Sequence, residues 1–184
     1  MRVEVIGWCL LAACVSPTLA AAQPASPVYR EIGDWLIACD NVRDCVARQV
    51  PDDERPAAAG EDREVAFDIV RKAGPDGAIT VSLAAETLDP AGIGVPGRPA
   101  AEAWRRDADG ETLTLSGDAA LRFVRVIAHA PLLRLGRSAS AGHLSLRGLA
   151  AVLLAMDEAQ GRFGNRSALM RPGPAAASAT PAAV

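Results

Sequence analysis

Two stretches alternate apolar and polar positions with a period of two. From Glu64 to Arg71, Val65, Phe67 and Ile69 fall on one side and Glu64, Asp68 and Val70 on the other. Ile79, Val81 and Leu83 then alternate with Thr80, Ser82 and Ala84. That period marks half-buried strands, and Gly74-Pro75-Asp76-Gly77 between them is turn chemistry, so the pair predicts a hairpin. Trp35 to Ile37 reads as a shorter strand, Asp40-Asn41 as a turn, and Cys45 to Val50 as a returning strand. Thr112–Leu115 and Leu132–Gly136 add short strands, Asp107–Gly110 a turn, and Trp104 is expected to pack on the sheet.

The period changes toward the C-terminus. Asp118 is expected to cap a helix running to about Ala130 and ended by Pro131. Phe123, Val126, Ile127 and Ala130 would share its inner face, and Arg122, Arg125 and His129 its outer one. Ser145 to Gly161 is the stronger helical stretch. Leu146, Leu149, Leu153 and Met156 recur at helical spacing, Ser145 is the expected N-cap, and Gly161 suits a left-handed terminating residue. Together these elements predict an α+β fold. A small antiparallel β-sheet, as a sandwich or partial barrel, is covered by one or two α-helices near the C-terminus.

The ends have a different composition. Arg2, an apolar core from Val5 to Val15 and Ala20-Ala21-Ala22 before Gln23 mark residues 1–22 as a signal peptide. Leu11-Ala12-Ala13-Cys14 offers the alternative of a lipoprotein anchored through Cys14. Either way the expected location is periplasmic or secreted, with no transmembrane helix in the mature chain. Residues 23–28 are a spacer, 29–171 a single domain, and 172–184 a disordered Pro/Ala-rich tail with too little apolar surface to order itself. Pro51 to Asp62 is an exposed acidic loop.

Export leaves Cys39 and Cys45 as the only cysteines. Five residues between facing hairpin strands place them within reach of a disulfide, which an oxidising compartment favours. A redox pair usually has two intervening residues, and a metal site would need further ligands with only His129 and His143 available. No metal and no cofactor are expected.

Two stretches also carry a family resemblance. Trp-Leu-Ile-Ala-Cys-Asp-Asn-Val-Arg-Asp-Cys at 35–45 resembles the opening motif of an exported bacterial family, domain of unknown function 1176. Ser145-Leu146-Arg147-Gly148-Leu149-Ala150-Ala151, running on through Met156–Arg162 to Ala168-Leu169, is similar to that family's mid-protein helix. A looser likeness runs to the invasion-associated locus B family. The resemblance implies an envelope location and a fold, and it implies no catalytic residues. It departs from the pattern at Leu154-Ala155, where Arg-Trp is common, and in ending in a Pro/Ala tail where longer members continue.

Charge narrows the function. Residues 23–118 carry ten Lys and Arg against nineteen Asp and Glu, whereas residues 119–171 carry eight Arg against two acids. Either the basic part faces the acidic part of the same fold, or Arg122, Arg125, Arg134 and Arg147 bind an anionic envelope component or an acidic envelope protein. Nucleic acid is not expected, since aromatics for stacking are few. Gly92-Ile93-Gly94-Val95-Pro96-Gly97 lacks the lysine and helix of a nucleotide loop. His143, Ser145 and Asp157 lack the Gly-x-Ser-x-Gly setting of a serine nucleophile. The expectation is a non-enzymatic binding or structural module of the envelope, with no catalytic residues. The alternative is a hydrolase using residues around His143 and Ser145.

Overall fold

The computed structural model describes residues 26–183, apart from 51–52, 55, 87, 100–102, 109 and 139–140. The expected leader, Cys14 and residues 23–25 of the spacer lie outside the described residues. Strands β1 (Val28–Ile32), β2 (Trp35–Cys39), β3 (Cys45–Gln49), β4 (Ala66–Arg71) and β5 (Ile79–Ala84) form an antiparallel meander. A short hairpin, β6 (Ile93–Val95) and β7 (Arg98–Pro99), follows, then β8 (Arg105–Arg106) and β9 (Thr112–Ser116). Helix α1 (Gly117–Ile127), β10 (Leu132–Leu135), β11 (His143–Ser145) and helix α2 (Leu149–Ala159) complete the order. The larger sheet runs β1-β2-β3-β4-β5-β9-β8, and the smaller β11-β10-β6-β7. The class is α+β as expected, and the sheet does not close into a barrel.

Side-chain alternation decides which face is covered. Register aligns Ile37, Ala47, Ile69, Val81 and Leu115 across five strands. All five are buried, and both helices pack over this face. Trp35 meets Phe67 edge-on at 5.1 Å within the same layer. The alternate positions Ala38, Val46, Val70 and Thr80 remain partly exposed, as is common for antiparallel sheets. Each fully buried Leu, Ile or Phe is worth roughly 1.5–3 kcal/mol, so this layer dominates the stabilisation.

Several expectations need correction. Asp118 lies in the first turn of α1, and Ser116 holds the capping position without a side-chain bond. The buried face of α1 is Ala120, Phe123, Val124 and Ile127, whereas Val126 is exposed. Trp104 packs edge-on against Phe123 of α1 at 5.1 Å. Ser145 ends β11 and does not cap α2, which begins after Gly148 in a left-handed conformation. Leu146, Leu149, Leu153 and Met156 are buried as the spacing predicts.

The Pro/Ala-rich segment also departs from expectation. Within 172–183, Ala175 forms a bridge with Asn165, residues Ala177–Ala179 make a single 3-10 turn, and Thr180 is buried. The composition argument counted apolar side chains. The attachment is instead polar: Asn165 Nδ2 donates to the Ala176 carbonyl at 2.7 Å and to Thr180 Oγ1 at 2.9 Å.

Candidate functional site

Charged and polar side chains gather in four places. The first is a junction between the β1–β2 turn, just ahead of the first stretch that carries the family resemblance, and the start of the second. The β1–β2 turn places Asp34 in the interior, and its carboxylate accepts from Ser145 Oγ at 2.6 Å and from the Arg147 guanidinium. Asp34 N donates to the Arg147 carbonyl at 2.9 Å. Gly33 and Gly148, both with positive φ, pass so close that a Cβ on Gly148 would overlap the Ile32 carbonyl and one on Gly33 the Arg147 carbonyl. Only glycine allows this approach. The hydroxyl of Ser145 is therefore bound to a buried carboxylate from another element, and Asp157 is not its partner.

The second place lies under the C-terminal end of α2. Arg71, Asp157, Gln160, Arg162 and Asn165 are all buried. Asp157 accepts the backbone N–H of Leu169 and of Met170, at 2.9 and 2.8 Å, and faces Arg71 at 3.5 Å. Arg162 donates to Gln160 Oε1, Ser167 Oγ and the Gly74 carbonyl. Burial, with Arg162 nearby, pushes the Arg71 guanidinium down to about 10. Burial likewise pushes the Asp157 carboxyl up, against the pull of the two N–H groups and Arg71. Such a cluster persists because its members satisfy most of one another's polar atoms, Arg71 Nε being left without a partner among the described residues.

The third place is open. A cleft of about 670 Å³ between the sheets is lined by Asp62, Glu86, Leu88, Asp89, Arg106, Leu135, Ala141 and Gly142. A second hollow of about 430 Å³ shares Asp62 and Glu86 and adds Glu64, Val65 and Glu111. Three apolar core residues, Val65, Leu88 and Leu135, also border these hollows. Arg106 is committed to the Gly110 and Leu88 carbonyls at 2.7 and 2.8 Å. Asp62 accepts Glu64 N–H at 3.0 Å. Glu86 is exposed and has no hydrogen-bond or ion-pair partner among the described residues. The fourth place adjoins it: Arg134 and Arg137 line a glycine-walled hollow of about 180 Å³ with Gly92, Gly94, Val95, Gly97 and Gly136. Arg137 pairs with Asp89 at 3.1 Å, which holds the Asp89 carboxyl below its usual range.

The four arginines singled out from the sequence do not form one patch. Arg125 donates to the Arg166 and Ala168 carbonyls at 3.0 and 2.7 Å, tying α1 to the segment after α2. Arg147 is committed to Asp34. Arg122 is exposed on α1, and Arg134 belongs to the small sheet. His143 also sits in the small sheet, its backbone bridging Glu61. Cys39 and Cys45 are directly opposed across β2 and β3, disulfide-bonded, with Cα atoms 4.1 Å apart. Sequence reasoning missed Asp34, Arg162, Glu86 and Arg137, because nothing local distinguishes them from ordinary surface charges. Among the described residues no group of three or more His, Cys, Asp or Glu could hold a metal ion, and no helix is long and apolar enough to cross a membrane.

A family model described as "Protein of unknown function (DUF1176)" matches residues 29–184. No curated protein and no solved structure gives a significant match.

Proposed function

The chain belongs to the DUF1176 family of proteins of unknown function, and from that premise we propose that it is an exported, non-enzymatic binding module of the cell envelope. Its ligand site is the cleft between the two sheets. The observation that carries this reading is the contrast within that cleft. The apolar Leu88 and Leu135 line it beside Glu86, which has no partner among the described residues, and Arg106, which is already committed. About 670 Å³ lies within the range of ligand clefts, and mixed apolar and polar walls are their usual lining. The surplus of carboxylates selects a ligand with an aliphatic body and a positive charge, such as an alkylamine or the lysine side chain of a partner.

Export is supported by the leader-like residues 1–22 and by the Cys39–Cys45 disulfide, a bond of oxidising compartments. The binding reading is favoured over hydrolysis because Ser145 is hydrogen-bonded to a buried aspartate and does not line the cleft.

Titration of the oxidised mature protein with linear diamines, beside diols of the same length, tests the proposal. Diamines are expected to bind and diols not, with Glu86→Gln weakening diamine binding about tenfold, the loss of one charge-assisted contact. Equal response to both series, or no effect of Glu86→Gln, would remove the cleft as the site. Intact mass of the protein from its native host checks export: loss of residues 1–22 and of two hydrogens is expected, and a diacylglyceryl adduct on Cys14 would replace the free N-terminus with an anchor.

A further inference from the structure

We propose that the hollow formed by Gly92, Gly94, Gly97, Gly136, Arg134 and Arg137 is a second binding site, one that takes a single phosphate group. Its lining residues are distinct from those of the acidic cleft, and the Arg137–Asp89 pair is the link between the two. The hollow measures about 180 Å³, room for one tetrahedral oxyanion with its first waters but not for a nucleotide. Its walls are backbone, because four of its seven lining residues are glycine. At Gly92 the approach is close enough that a Cβ would overlap the backbone of Gly136 and Arg137. A wall without side chains lets an anion reach guanidinium groups that would otherwise be screened.

Each guanidinium is fixed at one corner and open elsewhere. Arg134 Nη2 donates to the Ser138 carbonyl at 2.9 Å, and Arg137 Nε to Asp89 Oδ2 at 3.1 Å. An arginine carries five donors, so most of each fork stays available. Fixing one donor lowers the entropy lost when the others engage a ligand. Both arginines line this one small concavity, and a guanidinium fork matches the oxygen geometry of phosphate.

The arrangement also gives a use to two of the eight arginines of residues 119–171. Arg125, Arg147 and Arg162 are used inside the fold. Arg134 and Arg137 have one side-chain partner each among the described residues, and both line the hollow. The glycine-rich run from Gly92 to Gly97 thus contributes walls to the site, whereas a nucleotide loop would contribute amides at a helix start.

The test is calorimetric titration of the oxidised mature protein with inorganic phosphate at low ionic strength. Saturable binding is expected, weakened at least about tenfold by Arg134→Ala and by Arg137→Ala, and recovered in part by Arg134→Lys. Both side chains are outside the core, so far-ultraviolet circular dichroism should be unchanged in every variant. Two further arms separate the sources of the phosphate. Binding to vesicles containing phosphatidic acid, but not to phosphatidylcholine alone, assigns the site to a lipid headgroup. Binding of free phosphate without vesicle binding assigns it to a soluble phosphate compound. Absence of saturable binding, or an affinity unchanged in the double Arg134→Ala, Arg137→Ala variant, overturns the proposal. Glu86→Gln should leave phosphate affinity within about twofold, since the two sites share no lining residue, so failure of the diamine titration and failure of this one are separate results.

Discussion

Charged side chains serve two opposite ends in this molecule. Inside the fold, Asp34, Asp157, Arg71 and Arg162 are buried, and most of their polar atoms bond other groups of the chain. Around the small sheet, Glu86, Arg134 and Arg137 stand at the edges of concavities with one internal partner or none. The first set costs desolvation and recovers it through hydrogen bonds, so it fixes shape. The second set stays solvated and adds little to folding, so it is free to meet a ligand. Substitutions should therefore separate cleanly into those that unfold the chain and those that alter binding alone.

The largest effect is expected at Asp157. Replacing it with alanine leaves two backbone N–H groups and Arg71 unsatisfied in the interior, a class of change that costs roughly 3–5 kcal/mol. Urea denaturation of Asp157→Ala should show that loss with little change in slope. An effect below about 1 kcal/mol would mean the cluster is dispensable and would erase the contrast. Next comes Gly148→Ala. Its φ of 96° is strained for any residue with a Cβ, and the added atom meets the Ile32 carbonyl. A loss of roughly 2–3 kcal/mol is expected, visible as a lower urea midpoint. Reducing Cys39–Cys45 releases a loop of sequence separation six, worth roughly 2–2.5 kcal/mol on the chain-entropy account. At the other pole, Glu86→Gln should move stability by less than about 0.5 kcal/mol, although it weakens diamine binding.

How far this division could be read from the sequence depends on the range of the interactions. The hairpins were legible because Val65, Phe67, Ile69 and Ile79, Val81, Leu83 repeat every second residue and Gly74–Gly77 is a local turn. The face of α2 was legible for the same reason, from Leu149, Leu153 and Met156. Ser145 was misread as a cap because capping is the local use of serine, whereas its partner Asp34 is 111 positions away. The C-terminal segment looked solvated because composition reports apolar burial, and its anchors are carbonyls and one hydroxyl reached by Asn165 and Arg162. The arginines were correctly flagged as a charge asymmetry, but only coordinates distinguish Arg125 and Arg147, which are consumed internally, from Arg134 and Arg137. The second stretch that carries the family resemblance packs, at Ser145 and Gly148, against Gly33 and Asp34 of the turn that leads into the first.

The smallest effect tests the boundary between the two classes. Asp44 accepts from Lys72 Nζ at 2.7 Å and from the backbone N–H of Ala73 at 2.8 Å, near the surface beside the disulfide. The Lys72 ammonium, then the Ala73 amide, holds the Asp44 carboxyl below its ordinary 3.8. A carboxylate that ionises more readily in the folded chain stabilises it fully above the unfolded value, and the gain disappears as pH falls through the lower folded value. Asp157 acts with the opposite sign in acid, because burial raises its carboxyl and protonation relieves that cost. The two are separated by difference: wild type minus Asp44→Asn, followed by urea midpoint from neutral pH downward, cancels Asp157. That difference should be positive and flat near neutrality and shrink only below about pH 4. A difference that persists unchanged into strong acid would mean that the Asp44 charge is not what stabilises this contact.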